Sequence, residues 1–367
     1  NEMAIKVWVG GGLGRTPILG SVIKESLSWK HILTYSEAIL RVYNRFGRRD
    51  NKYKARIKIL VNALGSETFT AMVEWEWQSN QPSELVLDDR VIEDIRRHFS
   101  PPDYPHTQAL SSANLASSTN QLFARWVERN TTEHRVNGYR SVTISLKFPG
   151  NAPGDATADQ MDLVADLASR YSFGEIRVTH EQNLLLADVA ETDLFDVWRA
   201  LNSHKLATPN IGLLTDIICC PGLDFCSLAN AATIPIAAQI NQRFEDIDYL
   251  FDVGEVKIKM SGCMNACGHH HVGHIGILGV QKKGQQYYQF TLGGSAENDC
   301  TLGERLGPAI EKEHVVEAIA NLLNVYIELR EDDERFIDTF RRLGITPFKD
   351  RVYTPAIEHE DVQRATN

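Results

Sequence analysis

Residues 261–276, SGCMNACGHHHVGHIG, place two cysteines and four histidines within sixteen positions. Another cysteine pair lies upstream, so four thiols form two spaced pairs, Cys220-PGLDF-Cys226 and Cys263-MNA-Cys267. Four thiolates suit either a tetrahedral zinc ion or an iron–sulfur cluster, because both are sites for soft ligands. The first gap is wider than the roughly two to four residues typical of structural zinc. The spacing therefore favours the larger cluster.

The four histidines of the segment offer a second ligand set, in which zinc is bound by imidazole together with Cys263 and Cys267. Consecutive histidines point in different directions, so we expect them to pack or form hydrogen bonds near the site instead. Asn265 and the neighbouring glycines would let backbone amides approach the sulfur ligands. Cys219 and Cys300 have no paired spacing and are expected to be small buried hydrophobes. The histidines are His269, His270, His271 and His274.

A basic segment near the N-terminus, KARIKIL at residues 54–60, has the charge to bind a small anion. On a strand, Lys54, Arg56 and Lys58 would share one face, because side chains alternate, and the cations would converge on an oxyanion. Such a site would also stabilise the charge that builds up as an oxyanion is reduced. The alternative is a solvated basic strand at a sheet edge, which is the commoner role of a charge run.

The composition limits the classes of protein that these residues can serve. The chain has 367 residues, 43% of them hydrophobic, with six cysteines and a net charge of −10. This length allows two or three domains, and the acidity argues against nucleic acid as a partner. No signal peptide and no run of about 18 apolar residues is present, which points away from the membrane and from export. Clustered thiols then predict metal or redox chemistry in the cytoplasm.

Two parts of the chain share the order strand, Gly-Gly loop, helix and Leu-Gly end, which predicts an internal duplication. The intervals between the markers are 26 and 28 positions in the first copy and 23 and 27 in the second. The basic segment is expected only in the first copy, because the second has DDERFIDTF there, and the paired cysteines only in the second. Few residues precede the first loop, so we expect the natural protein to have a further N-terminal region. The markers are Gly11, Glu37 and Gly65 in the first copy and Gly294, Glu317 and Gly344 in the second.

The region between the copies predicts a ferredoxin-like half-domain from its order of strand, helix, strand, strand and helix. Residues 141–148, SVTISLKF, alternate like a half-buried strand, and EIRVTHEQNLLLADV contains two short strands. Thr157 and Gln160 form a capping box that begins the first helix, and Thr192 begins the second. Apolar positions at helical spacing form the buried faces of these helices. They are Met161, Val164, Leu167 and Ala168 in the first helix and Phe195, Trp198 and Leu201 in the second.

The cysteine pattern, its SGCMNACG context and the earlier GGGLGRTP and DNKYKARIKIL segments resemble the siroheme-dependent sulfite and nitrite reductase family. The resemblance covers essentially the whole chain. It implies an α+β fold, a duplicated nitrite/sulfite reductase architecture in which a ferredoxin-like half-domain accompanies α/β lobes that hold siroheme and a 4Fe-4S cluster.

The resemblance also implies roles for particular residues. The thiolates of Cys220, Cys226, Cys263 and Cys267 would bind the 4Fe-4S cluster, and the last of them would also bridge to the siroheme iron. Asn265 would lie against the macrocycle. The glycine loop at the start of the chain would belong to the siroheme region, and the family's basic pair at the substrate site would be matched by two residues of KARIKIL. These further residues are Gly10, Gly11 and Gly12 in the loop and Arg56 and Lys58 in the pair.

Five segments are expected from the resemblance and from the positions of proline and glycine. They are 1–78, the C-terminal part of the first siroheme- and substrate-binding repeat; 79–137, a linker; 138–205, the ferredoxin-like half-domain; 206–345, the domain that binds the 4Fe-4S cluster and siroheme; and 346–367, a tail.

The function implied by the resemblance is the assimilatory, six-electron reduction of sulfite to sulfide. Electrons would come from ferredoxin or a flavoprotein, and the same chemistry applied to nitrite, giving ammonia, is the nearest alternative. Lys58 is closer to the sulfite-reducing pattern. Alternatives of other classes are a zinc-stabilised structural or interaction module and an iron–sulfur electron carrier without siroheme. A dinucleotide site is disfavoured because VWVGGGLGR lacks the third glycine of the G-x-G-x-x-G fingerprint.

Overall fold

A computed structural model describes residues 3–80, 82–105 and 120–354 and divides the chain into two compact units, Asn1–Tyr104 and Pro105–Asn367. Residues 106–119 of the expected linker and 355–367 of the expected tail lie outside the described residues. Within the described ranges, no helix is long and apolar enough to span a membrane.

The first unit packs a two-stranded antiparallel sheet against helices. Its elements are β1 (Ala4–Val9), β2 (Ser21–Ser28), α1 (Ile32–Phe46), α2 (Ile57–Leu64), α3 (Ser66–Ser79) and α4 (Asp89–Arg97). The core lies between α1, α3 and β2, where Tyr35 and Val42 pack with Phe69, Val73 and Leu27. The helix α4 falls within the expected linker, which is therefore not irregular throughout its described part.

The basic segment is not a strand, so the expectation that Lys54, Arg56 and Lys58 share a strand face is wrong. Lys54 ends a 3₁₀ turn, Arg56 is the N-cap of α2, and Lys58 lies in its first turn. The apolar residues decide the outcome, because they recur at the helical spacing of three, one and three positions rather than at every second position. These residues, Ile57, Leu60, Val61 and Leu64, face the core of the first unit.

The second unit begins with a four-stranded sheet in the order β3-β4-β6-β5, covered by helices. Its elements are α5 (Gln121–Asn130), β3 (Thr131–Glu133), β4 (Tyr139–Ile144), α6 (Ala158–Tyr171), β5 (Arg177–Val178), β6 (Leu184–Ala190) and α7 (Leu194–Ser203). The predicted capping box is confirmed, because Thr157 and Gln160 each bond the other's backbone N–H. The two short strands in EIRVTHEQNLLLADV are confirmed as β5 and β6.

The buried faces of α6 and α7 differ from the prediction at two positions. Met161 and Phe195 are 42% and 44% exposed, so they lie at the margins of the apolar stripes rather than in the core. The helix α7 begins at Leu194 after a 3₁₀ turn that contains Thr192. The strand over SVTISLKF ends at Ile144, beyond which the next three residues are buried without alternation.

The rest of the second unit is a six-stranded mixed sheet in the order β11-β10-β9-β8-β7, with β12 also paired to β10. Its strands are β7 (Ile218–Cys219), β8 (Ile258–Ser261), β9 (Ile275–Lys282), β10 (Gln285–Leu292), β11 (Glu304–Arg305) and β12 (Ile310–Glu311). Its helices are α8 (Ile234–Arg243), α9 (Ile247–Val253), α10 (Val315–Leu329), α11 (Phe336–Leu343) and α12 (Thr346–Tyr353). Strands β7, β8 and β9 run parallel, and the core lies between them and the helices α8 and α10.

The internal duplication extends to backbone detail. Gly10 and Gly293 come directly after β1 and β10 and have positive φ angles of 85° and 80°, a conformation that costs glycine little. The isolated bridge Gly12–Ile18 recurs as Ser295–Thr301. The helices α1 and α10 that follow are both 15 residues long. Each of these second-copy features lies 283 residues after its counterpart, without insertion or deletion.

This constant offset corrects the register expected from the sequence by three residues. The structural counterpart of Glu37 is Ala320, not Glu317. Both glutamates are on amphipathic helices, whose polar pattern repeats every three to four residues, so the two helices can be matched in more than one register.

A tyrosine makes the same contact in both copies. The hydroxyl of Tyr43 on α1 donates to the carbonyl oxygen of Ala55, and that of Tyr326 on α10 donates to the carbonyl oxygen of Glu334 at 2.8 Å. Each acceptor lies two residues before an eight-residue helix, α2 or α11. The contact fixes the start of that helix against the longer one in both copies.

The expected division of charge between the copies is only partly correct. Arg335 is the N-cap of α11, as Arg56 is of α2, so the arginine occurs in both copies. The position of Lys58, by contrast, is taken by the buried Ile337. The lysine is therefore the cation that distinguishes the first copy from the second.

Candidate metal centre and anion cavity

The sheet of the second unit brings the two cysteine pairs together. Cys220 follows β7 directly, and Cys263 comes two residues after β8. Because β7 and β8 are parallel neighbours, their carboxyl ends meet at one edge, which is where open sheets bind ligands. Short backbone turns then return the second cysteine of each pair, with Cys226 N bonded to Gly222 O at 2.9 Å.

The four thiols are close enough to influence one another electrostatically. Burial raises the pKa of the Cys267 thiol, and the neighbouring thiols of Cys220, Cys263 and Cys226 raise it further. The backbone N–H of Gly262 donates to the Sγ atom of Cys220 at 3.0 Å, a contact that stabilises a thiolate and tunes a cluster bound to it.

Close backbone packing allows the two loops to meet. A Cβ atom on Gly262 would lie 2.9 Å from the Cα atom of Gly222, which itself has a φ of 59°. Both positions therefore need glycine, because a side chain at either would push the two cysteine loops apart.

The donor set fits an iron–sulfur cluster better than a zinc ion. Among the described residues, no group of three or more His, Cys, Asp or Glu side chains is arranged to hold a single metal ion. A cubane is larger than an ion and accepts thiolates that are further apart. The six cysteines are all free thiols. The residues present thus match the soft ligands that a 4Fe-4S cluster requires.

The two unpaired cysteines differ from each other. Cys219 is 3% exposed, as expected, and burial raises the pKa of its thiol to about 12. Cys300, in contrast, is exposed, so the expectation that it is buried is wrong. It lies in the loop between β10 and β11, within the run of residues 296–300 that is exposed throughout.

The histidines of the segment pack rather than complete the thiol set. The ring of His270 lies 3.9 Å from that of His271, measured between centroids. His274 stacks on Phe336, and its Nδ1 atom accepts from the backbone N–H of Lys257 at 3.3 Å. Within the described part of the chain, both ring nitrogens of His270 lack a hydrogen-bond partner, and burial lowers its pKa to about 3.

Acid is expected to destabilise the second unit through His274. Burial lowers the pKa of this imidazole from 6.5 to about 4. The native pKa is below the unfolded one, so between about pH 6.5 and 4 the unfolded chain binds the proton more readily than the native protein does. The contribution of neutral His274 to stability is therefore complete above about pH 6.5, and up to about 3 kcal/mol of it is lost as the pH falls to 4. Urea unfolding over this range checks the slope.

The matched variant is His274→Asn, because its Oδ1 atom can accept from Lys257 N–H without titrating. We expect a shallower pH dependence in this variant. An identical slope in both proteins would mean that His274 does not carry the effect.

The open surface beside the thiols is partly apolar. Cys267 is exposed, and so is Asn265, which the resemblance places against the macrocycle. Phe225 and Met264 are 80% and 45% exposed, although each is next to a paired cysteine. These two side chains give the loops that carry the thiols an apolar exposed surface.

The first unit contains a separate cavity of about 320 Å³. The glycine loop and the start of α2 form it, so the structure brings Arg56 and Lys58 together with Gly11 and Gly12, as the resemblance implies. Lys54 is not among the lining residues, and Leu40 and Tyr43, which sequence reasoning missed, are. The lining comprises Gly11, Gly12, Leu13, Leu40, Tyr43, Arg56, Ile57 and Lys58.

The two cations of this cavity, Lys58 and Arg56, differ in burial and in hydrogen bonding. The Nζ atom of Lys58 donates to the carbonyl oxygens of Gly12, Leu13 and Thr16 at 3.2, 2.8 and 2.6 Å. Burial, and then the charge of Arg56, lower the pKa of this ammonium. Arg56 itself is exposed, and no hydrogen bond or ion pair engages its guanidinium in the described part of the chain. Lys58 therefore fixes the glycine loop, while Arg56 is available to a ligand.

Comparison with known proteins identifies the family. The model for the nitrite and sulphite reductase 4Fe-4S domain matches residues 1–81 and 213–360, more than half of the chain, and the model for the nitrite/sulfite reductase ferredoxin-like half domain matches 135–204. The chain belongs to the nitrite and sulphite reductase family. The resemblance drawn from the cysteine pattern is thereby confirmed, and so are the α+β architecture and the cofactors of this family, a 4Fe-4S cluster and siroheme.

Relatives of both activities are similar to this chain. The Sulfite reductase [ferredoxin] 2 of Mycolicibacterium paratuberculosis is 25% identical over 342 residues, which cover 90% of this chain and 55% of the relative. The Ferredoxin–nitrite reductase of Synechococcus elongatus is 25% identical over 330 residues, covering 88% and 56%. The structure of the Mycobacterium tuberculosis NirA protein has a TM-score of 0.68 at 22% identity, covering 94% of this chain and 58% of that one. The chain spans about half the length of the curated relatives it matches.

Proposed function

We propose that this chain belongs to an enzyme that reduces sulfite to sulfide, with the 4Fe-4S cluster held by Cys220, Cys226, Cys263 and Cys267. The observation that carries the proposal is the meeting of the two cysteine pairs at the carboxyl ends of β7 and β8. When bound, the cluster and siroheme would relay electrons from an external donor and would provide the iron site for the reduction. Nitrite reduction to ammonia is the second candidate, supported by the relatives with that name.

The chain's own cations bind the anion in this proposal. The exposed guanidinium of Arg56 can donate two parallel hydrogen bonds to an oxyanion. Lys58 acts beside it by donating hydrogen bonds to three carbonyl oxygens of the glycine loop, which offsets the negative end of dipoles that would otherwise repel an anion. Its buried ammonium also adds positive charge to the cavity wall.

The proposed electron donor is ferredoxin, which the names of the relatives support; a flavoprotein is the alternative. The proposed compartment is the cytoplasm, since six free thiols persist where the medium is reducing.

The test uses the full-length natural protein, purified anaerobically. We expect siroheme absorption bands, about four labile sulfides per chain and oxidation of reduced ferredoxin that depends on sulfite more strongly than on nitrite. Faster turnover with nitrite would establish the second candidate. Colourless protein that contains zinc would overturn both.

Arg56→Gln is expected to raise the KM for sulfite by about 10- to 100-fold, because hydrogen bonds to a charged group contribute about 1.5–3 kcal/mol. The absorption spectrum should not change. Arg335→Gln is the matched control, since Arg335 occupies the same helix position in the second copy but is paired with Asp338. An equal rise in KM in both variants would contradict the assignment.

A further inference from the structure

A glutamine side chain completes the edge of the strand that leads to the first cysteine ligand. The Oε1 atom of Gln182 accepts from Cys219 N–H at 2.9 Å, and its Nε2 atom donates to Cys219 O at 2.8 Å. The amide thus binds both backbone groups of one residue, as a neighbouring strand would. On the other side of β7, the N–H of Cys220 donates to Met260 O at 3.1 Å.

The turn that carries Gln182 is held in an uncommon conformation. Gln182 has a φ of 60°, in the left-handed region that few residues other than glycine adopt. Two hydrogen bonds close the turn. The N–H of Thr179 donates to the carbonyl oxygen of Asn183 at 2.9 Å, and the N–H of Asn183 donates to Thr179 Oγ1 at 3.1 Å. Such strain persists only where the surroundings impose it, which points to a role for the outlier.

A buried ion pair imposes this conformation. Lys147 is fully buried, and its Nζ atom donates to Glu181 O at 2.8 Å, to Asn183 Oδ1 at 3.0 Å and to Asp216 Oδ1 at 2.9 Å. The ammonium therefore binds the residues on both sides of Gln182. It also binds Asp216, which lies in the segment that runs into β7.

We propose that Gln182 is a positioning residue for the cluster ligand Cys220. It acts through the backbone of Cys219 and is itself held by the Lys147–Asp216 pair. The ferredoxin-like half-domain, to which Gln182 belongs, thereby fixes the direction in which the Cys220 thiolate leaves the sheet. This inference rests on the proposed role of Cys220 as a ligand of the cluster.

The first test is Gln182→Leu in the full-length protein. Loss of both hydrogen bonds should increase local opening, and with it the rate at which iodoacetamide alkylates Cys220 in cluster-free protein, by about tenfold or more relative to Cys226 in the same molecule. In the reduced, cluster-loaded protein, the electron paramagnetic resonance signal and midpoint potential of the cluster should shift. Gln289→Leu is the matched control, because that amide also bonds a backbone carbonyl, Gly307 O, at 2.6 Å.

A second variant keeps the test decisive if Gln182→Leu does not fold. In Gln182→Glu a neutral carboxyl both donates and accepts, as the amide does, whereas the carboxylate repels Cys219 O. The Cys220 to Cys226 alkylation ratio should therefore exceed that of the wild type at neutral pH and return towards it as the pH falls through the pKa of the new carboxyl. If Gln182 only stabilised the fold, without acting on the backbone of Cys219, the alkylation ratio would not return to the wild-type value at low pH.

The outcomes separate the two proposals. If the cluster is present and both the alkylation ratio and the cluster signal are unchanged in Gln182→Leu, the positioning role is wrong. If the wild type holds no labile sulfide, the proposed function fails instead, while the alkylation ratio still reports whether Gln182 fixes the chain at Cys220.

Discussion

Replacing Cys263 by serine is expected to reduce the labile sulfide content of the full-length protein from about four per chain to less than one, and to remove about four irons per chain with it. A serine hydroxyl is a hard ligand that stays protonated near neutral pH, so it cannot substitute for a soft thiolate. The same loss is expected when Cys220, Cys226 or Cys267 is replaced, because each of the four thiolates would bind one iron of the cluster as proposed. Iron and sulfide assays with visible absorption measure the effect.

The chain offers two matched controls for this prediction. Cys300→Ser removes an exposed thiol outside the paired loops, and Cys219→Ser removes a buried thiol that donates to Cys220 O at 3.1 Å, a bond that a hydroxyl can keep. Both variants should retain the cluster. Retention of iron in Cys263→Ser, or an equal loss in Cys300→Ser, would show that the cluster is not bound as proposed.

Lys147→Met is expected to lower the free energy of unfolding of the second unit by about 3–5 kcal/mol, because it leaves the Asp216 carboxylate buried without its cation. The side chain of Lys147 is 0% exposed and that of Asp216 is 4% exposed. Loss of the ammonium also leaves Glu181 O without its donor. Urea unfolding measures the change as a shift in midpoint at constant slope.

A lysine in a more exposed ion pair gives the comparison. Lys257 is 26% exposed and paired with Glu255 and Glu297. Lys257→Met should therefore lower the free energy of unfolding by about 1 kcal/mol or less. Adding Asp216→Asn to Lys147→Met should recover part of the lost stability, because the uncompensated charge is removed. Equal losses in the two single variants, or no recovery in the double one, would contradict this account.

The sequence indicates the candidate thiol site because the evidence for it is local. Two cysteine pairs separated by short gaps define a thiol site regardless of the surrounding fold. The capping box at Thr157 was equally accessible, since its two members are three residues apart. In both cases the residues that interact are neighbours along the chain.

The basic segment was misassigned because two periodicities overlap there. The cations of KARIKIL alternate as on a strand, whereas the apolar residues from Ile57 to Leu64 recur with helical spacing. Burial of the apolar set stabilises the fold more than any arrangement of exposed charges, so the helix forms. The direction taken by Lys58 then depends on the carbonyls of a loop more than forty residues away.

The hydrogen bonds between the Gln182 amide and the backbone of Cys219 could not be found from the sequence alone. Gln182 and Cys219 are separated by 37 positions, and a glutamine in a polar turn gives no indication of its partner. Only the register of the sheet and the buried lysine show which backbone groups it meets. The spacing of 283 residues that holds from the glycine loop through the first long helix of each copy, however, identifies Tyr43 and Tyr326 as equivalent.

The Gln182 contact also bears on the exposed edge of the six-stranded sheet. The strand β7 lies at one edge of the six-stranded sheet and has only two residues, and β11 at the other edge is equally short. Unpaired edge groups are templates on which another chain can add a strand, and short edges reduce that risk. By occupying the N–H and C=O of Cys219, the amide leaves this edge residue no free backbone group with which another strand could pair. The edge beside the first cysteine pair is therefore capped by a side chain of the same molecule, whether or not a cluster is bound.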